Sequence, residues 1–253
     1  MGSSDTRTTR RSRFGTSTAE TGHVFTPDNL KRLASRARRR LRLAFAGESA
    51  RRHALVGPWH LWEMKRSFQL KFLRAHGLEP HHRIVDIGCG TLRGGIPIIE
   101  YLEAGLYTGI DARPQAIEEA REELRECGLE NKRANLIATP ALASVELEGH
   151  ADVVWAFSVL FHMDDDALEK CFAFVGKSTD ARAVLYANVV LGTKQRTGTW
   201  EGFPVVTRPF DEYVGVADRY GFEAADMGTL KELGHVSGEN KGDLQHMIAF
   251  RRR

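Results

Sequence analysis

Short apolar runs of strand length alternate along most of the chain with stretches whose apolar residues recur every three or four positions. The runs lie within 83–95 and at 106–111, 135–138, 152–157 and 183–190, and helical patterns separate most of them. Such alternation is typical of a parallel sheet that is covered by helices on both faces. The sequence therefore predicts an α/β fold with a Rossmann-like, doubly wound sheet.

The last third of the chain departs from this alternation. Residues 191–209 are rich in Gly, Thr and bulky residues, and they predict a long loop of the kind that often forms a lid. A helix is predicted at 210–220, and two further strands at 222–227 and 246–251 have no convincing helix between them. Strands joined without a crossover helix are most simply antiparallel. We expect seven strands, mostly parallel, with an antiparallel final strand.

The N-terminal region has a different character. Residues 1–22 are polar and contain almost no apolar residues, which predicts a disordered basic tail. A basic amphipathic helix is predicted from Asp28 to about Gly47, and a second helix follows Pro58 and ends at Gly77. The expected organisation is this tail, a helical segment at 23–80 that packs on the core, and a ligand-binding domain at 81–253.

Charge and composition refine this organisation. The 253 residues carry a net charge of +3, but residues 1–53 contain 13 Lys/Arg and 4 Asp/Glu, so they contribute 13 − 4 = +9 and the remainder 3 − 9 = −6. A basic arm of this kind can attract nucleic acid, an acidic membrane surface or an anionic substrate, or it can be a solvated tail with a surface helix.

Two further features of the composition bear on location and metals. No apolar run approaches the roughly 18 to 20 residues that span a bilayer, and the N-terminus has no apolar signal region. A cytoplasmic location is therefore expected. The three cysteines, Cys89, Cys127 and Cys171, are widely spaced in apolar surroundings, which favours reduced core thiols over disulfides or zinc ligation.

The most informative stretch is the glycine turn after the first strand. Gly88 and Gly90 follow an apolar run, as in many nucleotide sites, but Arg93 stands where a dinucleotide fingerprint requires a third glycine. Asp86 precedes the glycines, and a carboxylate there disfavours a pyrophosphate but favours an ammonium or a sulfonium. Asp111, at the end of the second strand, fits an acceptor for the two hydroxyls of a ribose. The predicted ligand has a cationic end and a ribose.

At this point the chain resembles the class I S-adenosylmethionine-dependent methyltransferases. The first motif of that family is similar to Val85-Asp86-Ile87-Gly88-Cys89-Gly90, the second to Tyr107-Thr108-Gly109-Ile110-Asp111, and the motif of the fourth strand to residues 151–163. The resemblance covers about residues 55–253 and includes Gly221-Phe222-Glu223 at the start of the sixth strand. Several motifs occur in the expected order and spacing, which makes the resemblance specific.

The resemblance implies that S-adenosyl-L-methionine is the cofactor and assigns roles to individual residues. Its contacts would be the backbone of Gly88, Cys89 and Gly90, Asp86 near the methionine end, Asp111 at the ribose and Ala112 at the adenine. Phe157 and Ser158 fall where the family contacts the methionine portion and where its acceptor site begins. Many members place an acidic residue against the adenine amine, but this chain has Thr139 there. The adenine would then be held by a hydroxyl or by main-chain groups.

The candidate catalytic residue is His162. Methyl transfer to oxygen usually needs a base, and a histidine is partly neutral at cellular pH, as a base must be. The alternative is that His162 only orients its loop. The acceptor could be contacted by Trp59, His60 and Glu63, or these residues could simply fasten the N-terminal helices to the domain; Trp200 in the long loop could stack on a carbohydrate.

Metal dependence and the class of acceptor are narrowed by the remaining motifs. Asp164, Asp165 and Asp166 could bind Mg²⁺, but a helix cap is the preferred interpretation and no metal is expected.

The sequence contains no Asn/Asp-Pro-Pro-Tyr and no Pro-Cys pair, which argues against two classes of nucleic-acid methyltransferase. We therefore expect O-methylation of a small molecule, such as a saccharide or specialised metabolite. The alternatives are N-methylation of a small molecule, an RNA methyltransferase that uses the basic arm, and a non-catalytic cofactor-binding scaffold. Neither a nucleic-acid nor a membrane partner is expected, and a homodimer is compatible with the sequence.

Overall fold

The computed structural model describes residues 59–253, so the predicted tail at 1–22 and the predicted helix at 28–47 lie outside the described residues. The helices are α1 (Trp62–Ala75), α2 (Gly95–Tyr101), α3 (Pro114–Glu126), α4 (Asp165–Ser178), α5 (Phe210–Arg219) and α6 (Asn240–Asp243). The strands are β1 (Ile84–Ile87), β2 (Tyr107–Asp111), β3 (Asn135–Ala138), β4 (Ala151–Ala156), β5 (Thr179–Val189), β6 (Gln195–Trp200), β7 (Phe203–Thr207), β8 (Phe222–Thr229) and β9 (His246–Arg252). Short 3₁₀ turns lie at Trp59–Leu61, Glu130–Lys132, Leu142–Ser144 and Leu160–His162.

Seven strands form one sheet in the order β3-β2-β1-β4-β5-β9-β8. The strands from β3 to β5 pair in parallel, and β9 runs antiparallel to both of its neighbours. This arrangement confirms the predicted Rossmann-like sheet with an antiparallel final strand. The order of strands reverses between β1 and β4, and ligands of such sheets bind outside the carboxyl ends of the strands at that point.

Each face of the sheet has its own apolar core, because side chains alternate along every strand. One core contains Phe68 of α1 and residues of α2 and α3, packed against Ile84, Trp155 and Phe157. The opposite core contains residues of α4 and α5, such as Phe172, packed against the alternate strand positions. The face that carries α1 is therefore also the face of Trp155 and Phe157.

Glycine and proline end and begin the helices as their backbone preferences require. Gly77 and Gly128 follow α1 and α3 with φ of 95° and 66°, left-handed values that glycine adopts without a steric penalty. Pro114 occupies the first position of α3, where its missing N–H is tolerated. None of the helices in 59–253 is long and apolar enough to cross a bilayer.

The prediction of a loop at 191–209 is wrong, because β6 and β7 form an antiparallel hairpin there. Its turn consists of Glu201 and Gly202, which both have positive φ, 47° and 88°. A two-residue turn of this kind matches the twist of a hairpin, but Glu at its first position is not a recognisable turn signal. A second difference is α6, a one-turn helix between β8 and β9 where no helix was expected.

The cysteine prediction is wrong for one residue. All three cysteines are free, and Cys89 and Cys171 are buried as expected, but Cys127 is exposed. It follows the last residue of α3, Glu126, so the apolar stripe of that helix ends one turn earlier than its sequence suggests.

Candidate functional site

The glycine turn connects β1 to α2 at the carboxyl edge of the sheet. Gly88 and Gly90 have φ of 72° and 57°, and the N–H groups of Gly88 and Cys89 both donate to the carbonyl of Ile110. A Cβ atom at position 88 would lie 2.4 Å from Cγ2 of Val159. Glycine is therefore required at this position both by the backbone angle and by the packing.

Asp111 lies at the end of β2, beside the turn. Its Oδ2 accepts a hydrogen bond from the N–H of Gly90 (3.0 Å), and Oδ1 accepts one from the N–H of Arg113 (2.9 Å). The guanidinium of Arg113 also donates to both carboxylate oxygens, from Nε at 3.1 Å and from Nη2 at 3.2 Å. A ribose that binds Asp111 must share the carboxylate with Arg113 or displace it.

Asp86 is the second carboxylate of the site and is buried on the face of the sheet that carries α1. Burial raises the pKa of its carboxyl; the hydroxyl of Tyr107, which donates to Oδ2 at 2.6 Å, lowers it, and the charge of Asp111 raises it again. The resulting pKa is about 7. With a pKa near neutrality, the carboxyl of Asp86 is expected to lose its proton when a cation binds nearby.

Phe157 and Ser158 follow β4 at the same edge. The Phe157 ring is buried and stacks on that of Trp155, with 5.4 Å between centroids. Ser158 has φ of 63°, which is uncommon for a residue other than glycine, and its N–H donates to Oδ1 of Asn188 at 2.6 Å. The side chain of Asn188 thus holds the strained end of β4.

His162 ends the 3₁₀ turn that follows these residues and contacts the hairpin. Its Nδ1 is hydrogen-bonded to the carbonyl of Pro204 (3.0 Å), and its ring lies 5.2 Å from that of Trp200. The guanidinium of Arg113 lies over the ring of Trp200, 5.4 Å from its centroid. Burial lowers the pKa of His162, the hydrogen bond to Pro204 opposes this, and Arg113 lowers it further. His162 therefore lies on the Asp111 side of the site.

The predicted adenine contacts, Ala112 and Thr139, also lie on that side. The N–H of Thr139 donates to the carbonyl of Asp111 (3.0 Å), and its hydroxyl accepts a hydrogen bond from the N–H of Ala141. Ala112 is half-buried and directly follows Asp111. The structure thus brings both residues next to the predicted ribose acceptor.

The predicted acceptor contacts fall into two groups. Trp59 begins the 3₁₀ turn before α1, and its side chain lies outside the described residues. His60 and Glu63 are exposed, and Nε2 of His60 lies 3.8 Å from Oε1 of Glu239 in the segment between β8 and β9. Trp200 lies apart from these residues, on the hairpin.

The three consecutive aspartates are engaged by protein groups. Asp164 caps α4 by accepting a hydrogen bond from the N–H of Ala167, Asp165 pairs with Lys194 and Arg208, and Asp166 pairs with Lys170. Among residues 59–253, the group with the proximity expected of metal ligands is instead Glu79, His81 and His82, whose ligand atoms lie within 4.8 Å of one another before β1. That turn is at the opposite edge of the sheet from the glycine turn.

Sequence reasoning missed Arg113, Tyr107 and Asn188. Arg113 lies two residues beyond Asp111, and this proximity was the one available signal. The contacts of Tyr107 with Asp86 and of Asn188 with Ser158 join residues 21 and 30 positions apart. They depend on the register of neighbouring strands, which the sequence pattern does not specify.

Comparison with known proteins agrees with this geometry. Residues 85–181 match a family model described as a methyltransferase domain. Similar solved structures include the glycopeptide N-methyltransferase MtfA, with 12% sequence identity, a TM-score of 0.57, and coverage of 74% of this chain and 90% of that one.

Two further structures are similar at comparable levels. The magnesium protoporphyrin IX methyltransferase ChlM from Synechocystis PCC 6803, with bound SAH, has 16% identity, a TM-score of 0.58, and coverage of 87% of this chain and 95% of that one. The mitomycin 7-O-methyltransferase MmcR has 19% identity, a TM-score of 0.54, and coverage of 76% of this chain and 54% of that one. No curated protein matches the sequence at a significant level. At these identities the structural likeness shows the fold.

Proposed function

We propose that this chain is a class I S-adenosylmethionine-dependent methyltransferase and that it transfers the methyl group to a hydroxyl of a small molecule, either a saccharide or a specialised metabolite. The cofactor is S-adenosylmethionine, which supplies an electrophilic methyl group on a sulfonium when it is bound. The proposal for oxygen as the acceptor atom rests on the histidine at the carboxyl edge of the sheet.

The residues of the site fit this cofactor. The left-handed glycine turn lets a ligand approach the main chain, and Asp111 presents a carboxylate to which two ribose hydroxyls can donate. Asp86 offers a carboxyl that becomes anionic when a cation is near. We assign the ribose to Asp111, the adenine to Ala112 and Thr139, and the methionine end to Asp86 and Phe157.

An oxygen nucleophile differs from a neutral amine because it must lose a proton during the transfer. Burial lowers the pKa of His162, which keeps the imidazole neutral and able to accept a proton. Its Nδ1 is held by Pro204, so a proton would have to be taken by Nε2. A neutral imidazole at the carboxyl edge of the sheet is the observation that carries the proposal, and the sequence predicts His162 as the first candidate for the base.

The structural neighbours do not choose between acceptor atoms. By their names, MtfA methylates a nitrogen of a glycopeptide, MmcR an oxygen of mitomycin, and ChlM a porphyrin. Contacts to the acceptor from Trp59, His60, Glu63 and Trp200 remain a proposal. A cytoplasmic location and a homodimer remain predictions from the sequence.

The test is a panel of acceptors with detection of methylated product by mass spectrometry. We expect product with phenols or saccharides, and no loss of activity with a chelator. Product with amines alone would favour N-methylation. RNA methylation that falls steeply with salt and is lost on deletion of residues 1–53 would favour the RNA alternative. Cofactor binding without product from any acceptor would favour a scaffold.

A further inference from the structure

The segment between β8 and β9, residues 230–245, lies at the same sheet edge as the glycine turn. β5 and β8 both run antiparallel to β9, so β8 is parallel to β5 and ends at the carboxyl edge. The side chain of Asn188 joins the segment to the end of β4, because its Nδ2 donates to Oε1 of Gln245 while its Oδ1 accepts from Ser158. Side chains of this segment can therefore reach the site.

Within this segment, His235 and Asp243 form a buried pair. Nδ1 of His235 lies 3.0 Å from Oδ1 of Asp243, and the two residues are 1% and 5% exposed. Asp243 also accepts hydrogen bonds from the N–H and hydroxyl of Ser237 and from the N–H of Gly238. The carboxylate is thus held in a fixed position by three donors besides the imidazole.

These contacts determine which nitrogen of His235 carries the proton. Burial alone would raise the pKa of Asp243, but the hydrogen bonds from Ser237, His235 and Gly238 bring it below the usual value. An ionised carboxylate is an acceptor only, so Nδ1 of His235 must donate to it. Burial lowers the pKa of His235, Asp243 raises it, and Lys65 of α1 lowers it. The ring is therefore neutral at cellular pH, and the lone pair is on Nε2.

Nε2 of His235 is buried and has no hydrogen-bond partner among the described residues. Its ring meets Phe68 of α1 edge to face at 5.1 Å and lies 6.0 Å from the ring of Phe157. A buried acceptor without a partner destabilises the fold, and buried polar groups in native proteins nearly always have partners. A ligand hydroxyl next to Phe157 would supply the missing donor.

The position of His235 also suits the methyl end of the site better than that of His162. Asp86 and Trp155 are paired in register on neighbouring strands, and Phe157 follows on the same face, so His235 lies on the side of the methionine end. His162 instead contacts Trp200, which lies under Arg113 and hence on the side of Asp111.

We propose that His235, oriented by Asp243, accepts the proton of the acceptor hydroxyl. This inference rests on the proposed O-methylation. The oxygen forms a bond to the methyl carbon as the bond from that carbon to sulfur breaks, and the sulfur keeps the electron pair. The hydroxyl proton passes to Nε2, giving an imidazolium that Asp243 stabilises and that later releases the proton to solvent.

We place the entrance of the acceptor at the seam that α1 and the 3₁₀ turn before it form with the segment 230–245. At the surface this seam is bridged by His60 and Glu239, 3.8 Å apart and both largely exposed. Exposed pairs of this kind contribute little to stability. His60 thus belongs at the entrance of the acceptor site.

The experiment compares turnover on the best hydroxylated acceptor of the panel in the full chain and its variants. His235→Gln should lower kcat about 10²- to 10⁴-fold, and Asp243→Asn at least about tenfold, because Asn would favour the wrong tautomer of the imidazole. The dissociation constant for S-adenosylhomocysteine, measured by calorimetry, should change less than about threefold, since these residues act on the acceptor.

The chain offers a matched control in a second His–Asp pair. Nδ1 of His246 lies 2.8 Å from Oδ2 of Asp226 on β9 and β8, but both side chains are partly exposed. His246→Gln and Asp226→Asn should keep wild-type turnover. His162→Gln separates the two candidate bases, because loss of turnover in that variant with retention in His235→Gln would overturn the inference.

The outcomes also distinguish this inference from the proposed function. Wild-type methylation of a hydroxyl that survives His235→Gln would overturn only the role of His235, whereas methylation of amines alone would overturn both. If the variants do not fold, the wild-type protein still provides a test. Hydrogen exchange at C2 of each histidine, resolved by mass spectrometry, reports the pKa of His235, which should match the acid limb of the kcat/KM profile. A limb that matches another residue would overturn the inference.

Discussion

Replacement of Asp86 by Asn tests whether the buried carboxyl beside the glycine turn keeps its proton in the folded protein. Asp86 is 4% exposed, and burial is the largest cause of the rise in its pKa from 3.8 to about 7. Asn has nearly the same shape and can still accept the hydrogen bond from Tyr107, but it cannot ionise. The variant therefore removes the titration and little else.

The sign of the effect on stability follows from proton linkage. A carboxyl whose pKa is higher in the folded than in the unfolded chain contributes stability that is complete below about pH 4 and is lost as the pH rises through about 7. A difference of about 3 pKa units corresponds to at most about 4 kcal/mol, since one unit is about 1.4 kcal/mol. Between about pH 5 and about pH 8, the expected loss is about 2 to 3 kcal/mol.

Urea unfolding of both proteins at these two pH values measures the effect. The free energy of unfolding of Asp86→Asn minus that of the wild type should rise by about 2 to 3 kcal/mol from about pH 5 to about pH 8. Other titrating groups cancel in this difference. Glu103→Gln, which removes an exposed carboxylate, is the control. An equal difference at both pH values would refute the reasoning.

The same substitution should weaken cofactor binding selectively. Only S-adenosylmethionine carries the sulfonium, and S-adenosylhomocysteine does not. An ionised Asp86 near the methionine end favours the cation, so Asp86→Asn should weaken binding of S-adenosylmethionine more than that of S-adenosylhomocysteine at about pH 8. Calorimetry with both ligands measures this. An equal loss for both would place Asp86 away from the sulfonium.

Three further substitutions test other parts of the site. Gly88→Ala should lower the free energy of unfolding by about 1–3 kcal/mol in urea and abolish binding of S-adenosylhomocysteine, because its Cβ would meet Val159 at a left-handed backbone angle. If the guanidinium of Arg113 competes with the ribose for Asp111, Arg113→Ala should tighten binding of S-adenosylhomocysteine about fivefold in calorimetry, because the Arg113–Asp111 pair is worth about 1 kcal/mol. Weaker binding would show that the guanidinium and the ribose share the carboxylate. Asp164→Ala should cost about 1 kcal/mol of stability in urea through loss of the cap of α4, with unchanged cofactor affinity; altered affinity would argue for a role beyond the cap.

The parts of the fold that the sequence predicts are those set by local pattern. The strands from 84 to 156, the helix after Pro114 and the glycine turn each follow from apolar periodicity, proline and glycine within a few residues. The hairpin was missed because its exposed strand 195–200 shows no apolar alternation, and its turn begins with Glu201. Pro204 and Trp200 of the hairpin contact His162, and such tertiary contacts leave no local signal in the sequence.

The candidate site shows the same division. Asp86 and Asp111 were identifiable because each directly adjoins a strand end or a glycine turn. The hydrogen bonds from the Arg113 guanidinium to Asp111 depend on how side chains are placed in loops, and so does the pairing of His235 with Asp243. His235 lies in a segment rich in Gly, Glu and Lys, where a histidine has no pattern that distinguishes it from a surface residue.

The two ends of the site differ in what fixes them, and this difference bears on specificity. At the proposed methionine end, Asp86, Trp155 and Phe157 share one face because side chains alternate on paired strands, so the register of the sheet by itself places them together. The residues proposed for the acceptor lie on the 3₁₀ turn before α1, on α1, on the segment 230–245 and on the hairpin, none of which is set by that alternation. Exchange of the residues at the seam with the segment 230–245 should therefore change which hydroxyl is methylated, while cofactor affinity stays unchanged. His60→Ala combined with Glu239→Ala tests this, and a parallel loss of cofactor binding, measured by calorimetry, would contradict it.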